Sequence, residues 1–344
     1  MPHDRVCHAR LIETVAAPLA AGSADAPDIT HGLLVQRGDA ELVVRGETEV
    51  RFPAPWPRRY GSVAVSPAAD LVVFAGVHAL RAVDAAGAVR WEVRHGCWSA
   101  AVCTRNHASF AEYADDPRHE RADTGSAAFS PDGKFVWAHV RNYDGAEIRE
   151  EWLVLDPADG AVLARTDTGT VGSGSFHFPL PDPARMALTV GEGEEDSPVL
   201  MGRLDGGRLA VERFVEEVFL AISPSGERFL TTDPGQWSVY VHRTADGAEL
   251  GEWKCDSAVP PPAGSDRVFW DFEAAFPHED TAVLGTESHA PEPRHWCVDP
   301  STVTVRGRIA YPFPIAGAPR SAGSGRWHTV APDGSALHFW ALAD

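Results

Sequence analysis

The sequence predicts an all-β protein built from repeated antiparallel hairpins, and three observations carry this prediction. A phrase of short strand, proline-containing turn and short strand recurs along the chain. The 344 residues include 31 glycines and 27 prolines, which suit frequent turns and disfavour long helices. With 44% hydrophobic and 23% charged residues, the chain also has enough apolar side chains to fill a core.

The recurring phrase predicts an antiparallel hairpin wherever it occurs, because β-branched and aromatic residues flank a turn sequence such as Ser-Pro-Asp-Gly. Its six copies are residues 63–74, 127–137, 176–190, 220–230, 274–284 and 329–339. A degenerate seventh copy lies at 32–44 and lacks the proline. Most copies are followed by a second hairpin with its own Asp or Gly turn, as at 83–91, 155–163 and 243–250. Two hairpins make a four-stranded sheet.

Seven four-stranded units predict a seven-bladed β-propeller of antiparallel blades, and we expect residues 1–344 to form this single domain. The last copy is followed by too few residues for a complete blade, whereas residues 6–15 are compatible with a strand and precede the first hairpin. We therefore expect the N-terminal strand to pair with the last blade and close the ring, which would remove exposed sheet edges.

The repeats also resemble a known superfamily. Ser130-Pro-Asp-Gly133, followed by an Asp-turn hairpin, looks like the bacterial propellers of the WD-repeat and YVTN type, and residues 83–92 are similar to a quinoprotein-type repeat. The resemblance covers nearly the whole chain and implies the propeller fold. It leaves the function open, because propellers host unrelated activities. No Gly-His dipeptide occurs, only one repeat has the quinoprotein tryptophan spacing, and we assign no cofactor.

Unequal spacing of the repeats predicts loop insertions at 97–125, 254–272 and 311–326, with a further long connection at 16–30. Each joins the outer strand of one blade to the inner strand of the next, so all should emerge on one face. Long ordered loops on a rigid scaffold commonly carry function. We therefore predict a ligand or partner site on this face.

Polar and aromatic side chains near the starts of the inner strands are the candidates for that site. Acid or base catalysis is assigned to His177, His328, Glu217, Asp271 and Glu273. Contacts to a ligand are assigned to His31, Tyr60, His139, Arg141, Trp270 and Trp327, since rings supply apolar walls and arginine can bind a carboxylate.

Two functions follow from this set. The first is a small-molecule-binding propeller that acts as a lyase, cyclase, isomerase or hydrolase of bacterial specialised metabolism through a His/acid pair. The alternative is a non-catalytic scaffold that grips a protein partner with its loop-decorated face. A closed pocket with converging titratable groups would favour the enzyme, and an open apolar patch would favour the scaffold.

One metal arrangement remains an open alternative, although we assign no metal from the sequence. Cys97, Cys103, His107 and His119 carry ligand types suited to zinc, but their spacing matches none of the usual motifs. The acidic run at 192–196 lacks the alternation of a calcium loop and is expected to be a solvated hairpin tip.

Charge and cysteine content narrow the partners and the compartment. The formal net charge of −19 repels a phosphate backbone and an anionic membrane surface, so neither nucleic acid nor membrane is expected as a partner. Five scattered cysteines without a Cys-x-x-Cys motif suit free thiols. Residues 1–28 lack a clean hydrophobic signal segment, and we expect a cytoplasmic protein.

Overall fold

A computed structural model of the chain describes residues 5–99, 103–120, 124–144, 147–193, 197–287 and 292–343. The chain divides into two compact units. The central unit comprises Ser23–Asp25 and Thr30–Val215, and the terminal unit comprises Met1–Gly22, Ala26–Ile29 and Glu216–Asp344. No helix among the described residues has the length and apolar character needed to span a bilayer.

Among its described residues, the central unit consists of strands with three short 3₁₀ turns, at Arg58–Tyr60, Phe110–Glu112 and Pro117–His119. Its strands are β3 (Leu33–Arg37), β4 (Glu41–Arg45), β5 (Glu49–Pro53), β6 (Gly61–Val65), β7 (Leu71–Gly76), β8 (Ala79–Asp84), β9 (Val89–Arg94), β10 (Ala127–Phe129), β11 (Val136–Asp144), β12 (Glu147–Leu155), β13 (Val162–Asp167), β14 (Gly174–Pro179), β15 (Arg185–Gly191), β16 (Pro198–Asp205) and β17 (Arg208–Glu216). β6–β9, β10–β13 and β14–β17 form four-stranded sheets in sequence order, and β3–β5 pair successively.

In the described part of the terminal unit, one helical turn, α1 (Cys255–Ala258), lies among the strands. These strands are β1 (Val6–Ala16), β2 (Asp28–Thr30), β18 (Val218–Ile222), β19 (Arg228–Thr232), β20 (Ser238–Arg243), β21 (Glu249–Lys254), β22 (Trp270–His278), β23 (Thr281–Thr286), β24 (Arg294–Asp299), β25 (Thr304–Ala310), β26 (Ala316–Gly323), β27 (Arg326–Val330) and β28 (Ala336–Leu342). β18–β21 form a four-stranded sheet, and an eight-stranded sheet has the order β22-β23-β24-β25-β1-β28-β27-β26. The prediction of an all-β fold is confirmed, and the predicted four-stranded antiparallel sheet recurs in β6–β9, β10–β13, β14–β17 and β18–β21.

The repeated turn works as its sequence predicts. Between β10 and β11, the Ser130 hydroxyl donates to Asp132 (2.8 Å), and the Ser130 backbone N–H donates to the Phe135 carbonyl (2.9 Å). Gly133 has a φ of 72°, a left-handed conformation that glycine adopts without a steric penalty. Local hydrogen bonds and one glycine therefore set the register of the hairpin.

The first strands of successive sheets lie beside one another within each unit. β6, β10 and β14 are neighbours in the central unit, and β18, β22 and β26 are neighbours in the terminal unit. Buried valine, leucine and tryptophan side chains fill the space between adjacent sheets, as where Trp137 and Trp152 of the β10–β13 sheet cluster with Met186 and Leu188 of β15. Candidate residues on the inner strands are thus held by a rigid core.

β1 joins two groups of strands in the terminal unit. Val6, Cys7 and His8 pair in parallel with β25, and residues 9–16 pair antiparallel with β28, from Ala9 opposite Leu342 to Ala16 opposite Ala336. The N-terminal strand therefore pairs with the last strand of the chain, at the position where a fourth strand of the β26–β28 group would lie.

One expected insertion differs from the structure. Residues 311–326 are not simply a loop, because β26 occupies Ala316–Gly323 and pairs with β27. The segment Ala-Gly-Ala-Pro-Arg-Ser-Ala-Gly has no β-branched or aromatic residue, so its strand state depends on the partner strand and left no signal in the sequence. The last repeat copy is consequently the β27–β28 hairpin, and β26 precedes it.

Candidate functional site

Arg320 is the centre of a charged cluster in the terminal unit. It lies on β26 opposite His328 on β27, and its guanidinium donates to Glu273 on β22 (Nε to Oε2, 2.9 Å) and to Asp28 on β2 (Nη1 to Oδ2, 3.0 Å). A second bond joins Nη2 of Arg320 to Glu273. Two candidates, Glu273 and His328, are therefore linked through Arg320 and Asp28, neither of which was assigned to the site from the sequence.

Asp28 links this cluster to His328. The carboxylate oxygen Oδ1 lies 3.2 Å from Nε2 of His328, whose side chain is buried, and accepts a hydrogen bond from the Ile29 backbone N–H (2.7 Å). Burial alone would raise the pKa of Asp28, but the His328 contact and the charge of Arg320 lower it below its usual value. Asp28 is therefore ionised at neutral pH, and its carboxylate contacts both Arg320 and His328.

Glu217, which precedes β18, is engaged with a different histidine. Its Oε2 lies 3.0 Å from Nε2 of His242 and accepts a hydrogen bond from the Thr231 hydroxyl. The ring of His242 is buried and stacks on Phe229 with centroids 4.9 Å apart. This contact fastens the start of β18 to β19 and β20.

Asp271 is a buried residue of β22 and packs tightly against its neighbouring strand. A Cβ added at Gly285 on β23 would clash with Oδ2 of Asp271, so glycine is needed there. The carboxylate of Asp271 is thus buried on a face of the sheet and packs over Gly285 of β23.

His177 on β14 has both ring nitrogens occupied. Nε2 accepts from the Trp152 indole N–H (2.9 Å), and Nδ1 lies 2.7 Å from the Ser126 hydroxyl, which is also 2.9 Å from Ser175. Burial of the ring lowers the pKa of His177 well below its usual value. The ring is therefore neutral and joins neighbouring sheets of the central unit.

Arg141 on β11 is fully buried in a second charged network. Its Nη2 donates to Oε1 of Glu150 (2.7 Å) and to the Gly172 carbonyl (2.6 Å), and its Nη1 donates to the Trp98 carbonyl (2.7 Å). The guanidinium lies over the Trp98 ring, 4.4 Å from its centroid. Nε2 of His139, also buried, lies 3.4 Å from Glu150.

The aromatic candidates lie mainly in the cores of the units. Trp270, Trp327 and Tyr60 are buried, with the Trp327 indole N–H donating to the Tyr311 hydroxyl (2.9 Å). His31 occupies the turn after β2 with a φ of 53°, which is unusual for a residue with a side chain.

A different set of aromatic side chains is exposed in the terminal unit. Trp237, in the turn between β19 and β20, is 48% exposed, and its ring packs on Phe269 with centroids 4.6 Å apart. Phe272, on β22, is 46% exposed. We call the contacting pair Trp237 and Phe269, together with Phe272 three residues further along the chain, the aromatic ledge. None of the three is among the candidate residues assigned from the sequence. Their only signal is position, since Trp237 lies in a hairpin turn and the two phenylalanines lie in the 254–272 insertion.

Hydrogen bonds at both ends of that insertion hold the ledge in place. The Trp237 carbonyl accepts from the Cys255 N–H (2.8 Å), and the Gln236 carbonyl accepts from the Trp270 N–H (2.9 Å). The turn itself is closed by the Gln236 N–H to the Asp233 carbonyl (2.9 Å), with Gln236 at a φ of 61°. The exposed rings are therefore pre-positioned on an ordered backbone.

A separate cavity of about 490 Å³ lies beside β1 and β25 in the terminal unit. Its lining is largely apolar and includes Tyr311, Phe313 and Ile315, with Arg308 and Glu292 as its charged members. This size and composition suit a small organic molecule.

Comparison with protein-family models finds no match, and comparison with curated proteins finds none either. Among solved structures, the chain is similar to U3-55K, with 10% identity, a TM-score of 0.57 and coverage of 96% of this chain and 98% of that one. It is also similar to the WD40 repeats of RRP9, with 10% identity, a TM-score of 0.56 and coverage of 97% and 98%.

A third similar structure is the hydrazine synthase of Kuenenia stuttgartiensis, with 12% identity, a TM-score of 0.54 and coverage of 93% of this chain and 97% of that one. Identities this low show the fold alone, and the fold-level resemblance to WD40 and related β-propeller proteins is confirmed. Because these structures include both WD40 repeats and an enzyme, the fold does not decide between binding and catalysis.

Proposed function

We propose that residues 1–344 form one seven-bladed β-propeller that binds a protein partner through the aromatic ledge and does not catalyse a reaction. The blade count is supported by the strand groups: β22–β25 and β26–β28 with β1 each supply four strands of the eight-stranded sheet. The pairing of β1 with β28 supports closure by the N-terminal strand.

The observation that carries the binding function is the ledge itself. The rings of Trp237 and Phe269 are in mutual contact and exposed, and hydrogen bonds at both ends of the 254–272 insertion hold their backbone. Exposed, rigid tryptophan and phenylalanine side chains are typical of the central contacts in protein interfaces, where they are desolvated at little cost in conformational entropy. An open apolar surface of this kind fits a partner protein better than a small ligand that needs enclosure.

The engagement of the catalytic candidates supports the same conclusion. His177 accepts a tryptophan N–H, Glu217 holds a buried histidine, and Glu273 is held by Arg320. A general base needs a free lone pair within reach of its substrate. Each of these groups uses at least one lone pair in a contact that joins neighbouring strands.

The experiment selects peptides from a phage-displayed library on immobilised full-length protein and measures their affinity for variants. We expect Trp237→Ala to weaken binding by at least about 30-fold, because truncating a tryptophan at an interface centre costs 2 kcal/mol or more. Phe272→Ala should weaken it as well. Phe176→Ala is the matched control, since Phe176 on β14 in the central unit is 69% exposed and not part of the ledge. Selected peptides that bind Trp237→Ala as tightly as wild type would refute the proposal, and so would the absence of any enriched peptide.

A second candidate function is catalysis on a small molecule, favoured by the His328 and Asp28 contact. Nε2 of His328 lies 3.2 Å from Oδ1 of Asp28, which brings an imidazole and a carboxylate within the reach that an acid/base pair needs. The test first identifies small molecules that raise the thermal unfolding midpoint of the wild-type protein. If the protein is an enzyme, His328→Ala should convert such a molecule more slowly than wild type while its circular dichroism spectrum stays unchanged. A stabilising molecule that the wild-type protein leaves chemically unaltered would count against it.

A further inference from the structure

Four potential metal ligands meet in the central unit, within the 97–125 insertion. Cys97, Cys103, His107 and His119 each present one ligand atom, and these four atoms all lie within 4.8 Å of one another. Cys97, His107 and His119 are buried, and Cys103 is half-buried. Residues up to 22 positions apart in the sequence therefore converge on one protected point.

The spacing of the four atoms is close to a tetrahedron around a single ion. Bond lengths of about 2.3 Å to sulfur and 2.0–2.1 Å to nitrogen give tetrahedral edges of about 3.3–3.8 Å. Sγ of Cys103 and Nε2 of His107 are 3.3 Å apart, which already matches such an edge. The remaining pairs, which are at most 4.8 Å apart, need to approach by about 1.5 Å at most, which side-chain rotation can supply.

Each histidine has a carboxylate at its other ring nitrogen. Oε2 of Glu112 lies 3.2 Å from Nδ1 of His107, which leaves Nε2 facing Cys103. Oδ2 of Asp116 lies 3.2 Å from Nδ1 of His119, close enough to bond that nitrogen after a small rotation, and neither ring nitrogen of His119 has a hydrogen-bond partner among the described residues although both are buried. A carboxylate behind each ligating imidazole is the arrangement that fixes the tautomer and raises ligand basicity in metal sites.

The backbone around the cluster is held independently of these side chains. The Tyr143 hydroxyl donates to the carbonyls of Cys97 and Cys103, and Cys103 N–H donates to the Ser99 carbonyl (2.8 Å). The Tyr113 ring stacks on His119 with centroids 5.0 Å apart. The cysteine pair and the histidine pair are thus brought to the same place by separate contacts.

We propose that Cys97, Cys103, His107 and His119 bind one structural zinc ion. Two thiolates and two imidazoles are the ligand set that selects zinc, whereas calcium and magnesium require oxygen ligands. Four protein ligands leave no position for a substrate, so the ion is structural and not catalytic. It fastens a long insertion that has only two 3₁₀ turns of regular structure among its described residues. The proposal does not depend on the partner-binding function.

The test measures metal content in full-length protein purified under reducing conditions without a metal-affinity step. Elemental analysis should find about one zinc per chain in wild type and less than about 0.2 in Cys103→Ser and in His119→Ala. Cys7→Ser and His8→Ala are the matched controls, because Cys7 is also half-buried and His8 is an exposed histidine, and both lie on β1 outside the cluster. Both controls should retain the metal.

Two further measurements on wild-type protein keep the test decisive if a variant fails to fold. Cobalt added to chelator-treated protein should produce the visible bands of a tetrahedral ion together with thiolate charge-transfer absorption. Chelation should also accelerate tryptic cleavage at Arg118, which is exposed within the insertion. Wild-type protein with no zinc above background and no tetrahedral cobalt spectrum would overturn the proposal. A disulfide between Cys97 and Cys103 that persists under the reducing conditions of the purification would also overturn it.

Discussion

Removal of the buried Arg141 side chain should destabilise the protein far more than removal of a comparable surface arginine. In Arg141→Met, the Glu150 carboxylate stays buried without its main cation, and the carbonyls of Trp98 and Gly172 lose a donor. Breaking a buried ion pair from one side costs about 3–5 kcal/mol. Glu150 keeps the Thr170 hydroxyl (2.8 Å) and the Gly172 N–H (2.8 Å) as donors, so we expect about 3 kcal/mol.

The assay is urea unfolding followed by far-UV circular dichroism at neutral pH, with the free energy of unfolding obtained by linear extrapolation. Arg149→Met is the control, because Arg149 is an exposed residue of β12 whose pair with Glu147 (3.1 Å) should contribute less than about 1 kcal/mol. The double variant Arg141→Met/Glu150→Gln also removes the buried, unpaired charge of Glu150 and should recover part of the lost free energy of unfolding. A cost below about 1 kcal/mol for Arg141→Met would refute this account of the network.

The same network predicts a dependence on pH. Burial alone would raise the pKa of Glu150, but contacts with His139, Arg141 and Thr170 hold it below its usual value. A carboxyl with a depressed folded-state pKa contributes stability that is complete above the unfolded pKa of about 4.3 and is lost as the pH falls through the folded value. Arg141→Met removes one of these contacts, so its acid-unfolding midpoint should lie at higher pH than that of wild type.

Two more predictions concern the metal ligands and the buried histidines. Glu112→Gln should retain zinc but weaken the zinc affinity about 10–100-fold, because Glu112 orients His107. Glu120→Gln, in the same insertion, is the control and should leave the zinc affinity unchanged. Equal zinc affinities of Glu112→Gln and wild type in a chelator competition would contradict this. Burial lowers the pKa of His295 to about 4, so its contribution to stability is complete above about 6.5 and is lost as the pH falls toward 4, at up to about 1.4 kcal/mol per pH unit. His295→Gln should therefore flatten the dependence of unfolding free energy on pH between 7.5 and 5, and an unchanged slope would contradict the assignment.

The fold could be predicted from the sequence because its signals are local. Each turn of the Ser130 type is specified by a serine, an aspartate and a glycine within a few residues, and the strands beside it alternate in a readable pattern. β26 could not be predicted, since its alanines and glycines carry no strand preference and pairing with β27 decides its conformation.

The candidate site was less predictable because its contacts join distant positions. Asp28 and Arg320 are separated by 292 residues, and no sequence pattern links them. Arg141 was expected to meet a ligand, but the position of its carboxylate partner on the paired strand β12 makes it an internal ion pair. The ledge residues Trp237 and Phe269 come from two different connections, and only the folded backbone brings their rings together.

The two cysteines and two histidines could be found in the sequence by residue type, but their spacing did not show whether they form a metal site. Usual zinc motifs place ligands on short hairpins or helices, whereas here two 3₁₀ turns and the Tyr143 hydroxyl bring the ligands together. The spacing was therefore uninformative, and the convergence of the four side chains became visible only in three dimensions.

The pairing of β1 has a consequence for the order of events during synthesis. Ala16 pairs with Ala336, so 320 residues must be added after Ala16 before its partner exists. At about 5–20 residues per second, a ribosome needs about 16–64 s for that length. During this interval β1 has an unpaired backbone and exposed apolar side chains, which favour pairing with another nascent chain. Correct assembly in the cell therefore depends on keeping the first strand soluble until the last one has emerged.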